Sequence, residues 1–379
     1  MTTYNESRNT EMKSKLEQII EHGRERAVGV IEKIQAEVPV DRIVKAKVID
    51  FEPDEHGIWV QIPDNGHGSG HGDGPARGPA RERLHKNANS QMMERAGLAS
   101  DFMDRLQGET NPLWRNELLA HNLRTVFRHQ NETRYLTRSY KGELRGFLSN
   151  KYRRLDSRPI IEALASAAQQ IGAVPVDGIG TDTRVSLKIL LPRVFEIPMG
   201  GGRVDYVAWG YSWQNSDYGN GAHTMLEFLM RLVCANGATG EETLRQVHLG
   251  GRLQDDEIWS ARTYKLDTDR SASMIKDAVQ NYLSPAKLNE KIAMLAKAAE
   301  AKVDLDNKTI GEWLKKQLGV GRAKEVVETY NSADVENLPP GNSMWRLSNA
   351  ISWLAGKEQD GEKRLELMAA AGAILKKAA

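Results

Sequence analysis

RVSLKILLPRVFEIPMGGGRVDYVAWGYSWQ, from Arg184 to Gln214, is the stretch that decides the fold class. Val185, Leu187, Ile189 and Leu191 alternate with less apolar neighbours, and Val207, Trp209, Tyr211 and Trp213 repeat the pattern. A two-residue period of this kind marks strands. Gly200 to Gly202 lie between the runs; they follow a strand but open no helix, so they read as a hairpin turn and not as a phosphate-cradling loop. Downstream, HTMLEFLMRLVCANG (His223 to Gly237) sets Met225, Leu226, Leu229, Leu232 and Val233 on one helical face before the stop at Asn236 and Gly237. The predicted order is strand, strand, helix.

Working outward, RYLTRSY and ELRGFLS read as β-rich, and SRPIIEALASAAQQIG as a helix with Pro159 in its first turn. Near the N-terminus, Leu16, Ile19, Ile20, Val28, Ile31 and Ile34 recur at helical spacing, which predicts a helix over 11–37, weakened at Gly23 and Gly29 and ended by Pro39. RIVKAKVIDF and GIWVQIP, separated by EPDEHG, predict a hairpin. Asn65 to Arg81 has Gly or Pro at nearly every second position and no apolar anchor, so it is expected to be a flexible loop. ARERLHKNANSQMMERAGL, SDFMDRLQ with Ser100 as N-cap, and LWRNELLAHNLRTVFR show helical periodicity. From Ser271 to Ala379 the pattern is almost wholly helical, broken at LPPGN (Leu338 to Asn342). The expected class is α+β: a curved antiparallel β-sheet packed with helices, followed by a mostly helical C-terminal region. Its divisions are 1–40 (N-terminal helix), 41–130 (hairpin, Gly/His loop and helices), 131–260 (central α+β core) and 261–379 (helical region).

Composition narrows the function classes. No apolar run is long enough to cross a bilayer, and Met1 to Glu17 lacks the apolar core of a secretory signal, so a cytoplasmic protein without membrane partners is predicted. The one cysteine, Cys234, can form neither an internal disulfide nor a thiolate metal site. Lys plus Arg number 52 against 51 Asp plus Glu, so attraction to nucleic acid must come from local clustering.

Four segments carry a family resemblance: GFLSNKYRRLDSRPIIEAL, NSDYG, RLVCANG followed by HLG, and WRLSNAISWLA with RLELMAAAGAIL. Together, from about Ile43 to the C-terminus, they make the chain similar to the phage and plasmid family catalogued as domain of unknown function nine hundred and thirty-two. The resemblance implies a phage or plasmid setting and no particular reaction, cofactor or catalytic residue. The arrangement of strands followed by a packed helix also resembles the single-strand annealing proteins of the Rad52 and phage recombinase kind, a likeness of fold alone.

Arg134, Arg138, Lys141, Arg145, Lys151, Arg153, Arg154 and Arg158 stand against only Glu132, Glu143 and Asp156, interleaved with Tyr135, Tyr140, Phe147 and Tyr152. Cations track phosphates and aromatics stack on bases, at ~1 to 3 kcal/mol per base, so this pattern suits single strands; an ordinary basic face with tyrosines in the core is the other reading. Asn215, Ser216 and Asp217 either project from a strand end toward a ligand or make the turn into the next helix. Arg231, Asn236 and His248 are further motif candidates. Cys234 is expected to be buried unless His223 or His248 activates it. His67 and His71 lack further metal ligands, and nothing in the spacing brings Asp205, Asp217, Glu227, Asp255 and Asp256 together as a two-metal site. KTIGEWLKKQLGVGRAKEVVETY resembles a helix-turn-helix with Gly319 and Gly321 in the turn, though helical hairpins also serve as packing units.

The expected function is therefore a non-enzymatic phage or plasmid DNA-binding protein that binds or anneals single strands in recombination or replication. A metal-dependent nuclease and a structural or interaction protein are the alternatives. No cofactor is expected, the partner expected is single-stranded DNA, and homo-oligomer formation stays open.

Overall fold

The computed structural model describes residues 2–63, 78–199, 202–233, 236–246, 261–282, 285–303, 308–332, 335 and 338–377. In chain order the first half holds α1 (Thr2–Ala36), β1 (Val40–Lys45), β2 (Asp50–Asp54), β3 (Gly57–Ile62), β4 (Ala80–Leu84), α2 (Lys86–Ala96), α3 (Ser100–Gln107), α4 (Pro112–His129), β5 (Arg134–Tyr140), β6 (Glu143–Ser149) and α5 (Ser157–Gln170). There follow β7 (Val174–Gly180), β8 (Val185–Leu190), β9 (Phe195–Pro198), β10 (Val204–Asn215), β11 (His223–Arg231) and β12 (Asn236–Gln246). The C-terminal helices are α6 (Ala261–Tyr282), α7 (Pro285–Glu300), α8 (Lys308–Asn331), α9 (Met344–Lys357) and α10 (Gly361–Lys376). This is an α+β fold with a mostly helical C-terminal region.

The strands make two open sheets where one was expected. In the first, the order is β1-β5-β6-β4-β3-β2, antiparallel except for the parallel pairing of β4 with β6 at Arg83 and Glu143. In the second, the order is β12-β11-β10-β8-β7, all antiparallel, with β9 pairing β10. The first sheet takes strands from both sides of residue 130, so the expected division between 41–130 and 131–260 runs through a sheet. Its core is Phe51, Val60, Ile62, Met92, Leu123, Phe127 and Phe147, with the Tyr135 and Phe147 rings 4.5 Å apart. The second sheet is covered on one side by α5 and α6, through Ile160, Leu164, Ile275 and Val279. On its other side lie residues of α7 to α10, including Leu295, Leu314, Ile351 and Met368.

Several expectations hold and some do not. β9 and β10, which flank the expected turn, pair antiparallel at Val204 and Pro198, and Gly202 has φ +74°; Gly200 and Gly201 lie outside the described residues. β2 and β3 form the expected hairpin, while RIVK (Arg42 to Lys45) belongs to β1, which pairs with β5 instead. α8 bends at Gly319, which has φ +78° and non-helical geometry, so the suspected turn is there. The helix expected in HTMLEFLMRLVCANG is β11, a strand between β10 and β12. Because the sheet is covered on both faces, β11 buries residues of both parities, and its apolar run loses the alternation that marks a half-exposed strand. ARERL forms β4 and not the start of a helix, and it takes Ala80 and Arg81 from the expected loop; pairing with β3 across the intervening segment decides this. His67 and His71 lie outside the described residues.

The N-terminal helix runs along the β7 edge of the second sheet and touches both of its cores through Met12, Leu16, Ala27, Val30 and Ile34. Gly23 marks the crossing: a Cβ there would lie 1.6 Å from the Val176 carbonyl oxygen. The strand answers with Gly178, where a Cβ would lie 2.7 Å from Val30 Cγ2. Gly23 thus permits close approach of helix and strand, which offsets its poor helix propensity. In an open helix Gly→Ala stabilises by about 1 kcal/mol. Gly23→Ala is expected instead to destabilise by about 1 to 3 kcal/mol through overpacking, as read by urea denaturation; a gain in stability would mean the contact is not made.

Candidate functional site

The loop at residues 216–222, between β10 and β11, turns its polar groups inward. Asn215 Nδ2 donates to the Leu155 carbonyl (2.7 Å), Ser157 Oγ (3.0 Å) and Asp217 Oδ1 (3.1 Å). Ser216 Oγ donates to the Thr183 carbonyl (2.7 Å) and accepts from the Asn220 N–H (2.8 Å). Asp217 Oδ1 accepts from the Ser157 N–H (2.9 Å) and Oγ (2.7 Å), so it caps the first turn of α5 from a distant loop. The Tyr218 carbonyl accepts from Asn87 Nδ2 (3.0 Å) and Gln91 Nε2 (2.9 Å) on α2. Gly219, at φ +77°, lies against Leu148 of β6, where a Cβ would come within 2.3 Å of Cδ2. The NSDYG segment therefore joins the second sheet to the first. It does not turn into a helix, because the next element is β11.

The basic segment meets the same junction. Arg138, 1% exposed, donates from Nε to Asp41 Oδ1 (2.8 Å), from Nη2 to Asp156 Oδ1 (2.7 Å) and from Nη1 to the Asp217 carbonyl (2.6 Å). Arg154, also buried, pairs with the other oxygen of Asp41 at 3.2 Å. Arg145 holds Glu143 and reaches Glu37 and the Asp182 carbonyl, with its guanidinium over the Tyr140 and Tyr218 rings at 5.2 and 5.9 Å. Arg153 grips Asp267 of α6 with two bonds of 2.5 and 2.6 Å. Tyr152 is buried and donates to the Ser216 carbonyl (3.1 Å). These five side chains bind the protein itself and cannot line an open strand groove. Arg134, Tyr140 and Lys151 are half-buried, and Lys141 and Arg158 are exposed, Arg158 in the first turn of α5.

Arg231 pairs with Asp205 Oδ2 (2.5 Å), which also accepts from Trp345 Nε1 (2.9 Å), so this motif residue ties the second sheet to α9. Asn236 opens β12, and His248 and Cys234 lie outside the described residues. His223 is buried, edge-on to Trp213. Glu227 pairs with Lys291 at 3.0 Å. Asp205, Asp217 and Glu227 thus have separate partners, Asp255 and Asp256 lie outside the described residues, and among the described residues no three His, Cys, Asp or Glu could hold a metal together. No described helix is long and apolar enough to cross a membrane.

A concave site lies elsewhere, where α1 crosses the second sheet and α9 and α10 close over it. The cleft is about 520 Å³, within the range of small-ligand sites. Lys15, His22 and Arg26 come from α1, Asp177 from β7, Lys188 from β8 and Arg364 from α10. Asp177 is the carboxylate among them: Oδ1 accepts from Arg26 Nε (2.7 Å), and Oδ2 from Lys188 Nζ (2.8 Å) and Arg364 Nη2 (3.2 Å). Burial alone would raise the Asp177 pKa, but Lys188, Arg26 and Arg364 bring it down to about 2. Burial pushes Lys188 the opposite way, below the usual lysine value, despite Asp177. Arg364 Nε is buried and has no hydrogen-bond partner. Ile19, Phe228 and Met230 add apolar wall, with Lys188 Nζ 5.2 Å from the Phe228 ring centre. Sequence reasoning passed over these residues. One signal was available: Lys188 and Asp177 are charges inside otherwise apolar or glycine-bearing strands, and they face each other in register. Nothing in the sequence links them to Arg26 or Arg364.

No protein-family model, curated protein or solved structure matches the chain.

Burial, reinforced by the Asp156 charge, raises the Asp217 pKa from 3.8 to about 7, against the pull of Arg138 and Ser157. A folded value above the unfolded one means that the folded state binds the extra proton. The associated stability is full below about pH 4 and is lost as pH rises through about 7. Asp217→Asn, which keeps an oxygen for Ser157, is expected to remove that part of the pH dependence. Urea unfolding of both proteins across this window reads the difference, and parallel profiles would show that Asp217 titrates normally.

Proposed function

We propose that this is a binding protein for phosphate-bearing ligands, with nucleotides and single-stranded DNA as the best-fitting class, and that the α1–β7–α10 cleft is its binding site. The observation that carries the reading is three cationic side chains, Arg26, Lys188 and Arg364, on one carboxylate in a concave site with an apolar wall, with Lys15, itself paired with Glu11, at the rim. One aspartate cannot neutralise that charge, and Arg364 Nε keeps an open donor. A phosphate supplies the missing negative charge and several acceptors at once. Ile19, Phe228 and Met230 suit the apolar faces of a base and sugar. A phage or plasmid setting is what the motif resemblance implies, and a role in recombination or replication is what the fold-level likeness to single-strand annealing proteins implies. It fits a ligand of this chemistry, and DNA would present a nucleotide or a strand end to a cleft of this size.

Binding of inorganic phosphate, a mononucleotide and single-stranded DNA, measured by calorimetry at several salt concentrations, tests the reading. Arg364→Gln leaves Asp177 paired with Lys188 and Arg26, so the fold is expected to survive. Loss of one charge-assisted contact, about 1.5 to 3 kcal/mol, is expected to weaken binding roughly ten- to a hundredfold. For single strands the salt slope should also flatten. Unchanged affinity in the folded variant would remove the cleft from consideration, and no binding of any of the three ligands would overturn the function.

A further inference from the structure

Lys188 sits at the floor of the cleft in an unusual electrostatic position. It is 4% exposed, lies on a central strand, and has Asp177 on one side and the Phe228 ring on the other. Asp177 carries one negative charge, shared among the Lys188 ammonium and the Arg26 and Arg364 guanidiniums. Guanidiniums keep their protons in proteins, so the ammonium is the member of the trio that can release one. Burial favours that release, since the neutral amine loses far less hydration than the ion. Lys15 and His22 on the rim add no negative charge that would hold the proton in place. The lowered Lys188 pKa agrees with this geometry: burial is the first cause, Asp177 opposes it, and Arg364 and then Arg26 add to the lowering.

At rest Lys188 is the ammonium that pairs with Asp177; once it releases its proton, the amine at the base of an anion-attracting cleft is a nucleophile for carbonyl carbon. We propose that Lys188 forms an imine with a phosphorylated aldehyde held in this cleft. The proposal rests on the phosphate-binding reading above and names the reactive group its ligand would carry. The phosphate would lie toward Arg26, Arg364 and Lys15, with the aldehyde toward Nζ. Nζ attacks the carbonyl carbon, a C–N bond forms, and both amine protons leave with the carbonyl oxygen as water, leaving C=N. Nothing is oxidised or reduced. Two sources share this chemistry: a small sugar phosphate, and the ring-opened aldehyde of an abasic residue in single-stranded DNA, which is flanked by phosphates.

The experiment incubates the full chain with glyceraldehyde 3-phosphate, or with a single-stranded oligonucleotide bearing one abasic residue, and traps imines with borohydride. Intact mass and peptide mapping then locate the reduced adduct. The expected result is adduct at Lys188, suppressed by excess inorganic phosphate, lost in Lys188→Arg and retained in Lys15→Arg. Mapping on the parent protein keeps the test valid if Lys188→Arg fails to fold. Adduct with the oligonucleotide alone assigns the abasic residue, and with glyceraldehyde 3-phosphate alone the small molecule. Adduct spread over surface lysines, or none at Lys188, overturns the imine. If phosphate or nucleotide still binds in that case, the phosphate-binding reading stands; if neither binds nor reacts, both fall.

Discussion

The Arg138 guanidinium lies where the two sheets meet, and its three bonded partners come from three parts of the chain: Asp41 on β1, Asp156 before α5 and the Asp217 carbonyl after β10. Burying such a charge is costly, and burial alone would lower its pKa. Asp156 and Asp41 reverse that and hold it above the usual arginine value. A buried pair of this kind contributes little net stability against a well-packed apolar substitute, but removing one partner is strongly destabilising. Its main effect here is specificity. A shift of β5 by one residue would turn Arg138 to the opposite face and leave Asp41 and Arg154 facing each other without it.

A second contact, between α1 and the β7 edge, decides where a ligand could bind. The Gly23 and Gly178 contacts bring the helix close enough for Arg26 to reach Asp177, and α10 brings Arg364 to the same carboxylate from the far end of the chain. The helix also covers an edge strand whose open backbone groups would otherwise invite pairing with another chain. Structural closure and the cationic cleft thus have one origin. The three cations that hold Asp177 are too many for it, and the excess is the basis of the anion binding proposed for the cleft.

The motif residues and the cleft residues divide differently than residue type suggests. Asn215, Ser216, Asp217 and Gly219 look like a ligand loop because they are polar, small and placed at a strand end. The side chains of Asn215, Ser216 and Asp217 instead satisfy buried backbone groups beside the α5 N-terminus and in the loop before β8, where an unpaired group would be costly. Arg138, Arg145, Arg153 and Arg154 form a basic run in one dimension, yet their carboxylate partners Asp41, Glu37 and Asp267 come from well outside the run and cancel it in three. Charge density along a sequence measures neither burial nor long-range pairing.

By itself the sequence determined the α+β class, the helical C-terminal region, the β2–β3 hairpin, the β9–β10 pairing and the break at Gly319. Each rests on local causes: hydrophobic period, turn glycines and helix punctuation within a few residues. Only the tertiary structure decided that HTMLEFLMRL is a strand, because covering a sheet on both faces erases the alternation that would have identified it. Only the tertiary structure, too, set Asp217 as the cap of α5, Arg138 as the link between sheets, and Arg26, Lys188 and Arg364 around Asp177. Those groups are separated by tens to hundreds of residues. Their meeting depends on which strands pair and which helix crosses which edge, and no local period in the chain encodes that.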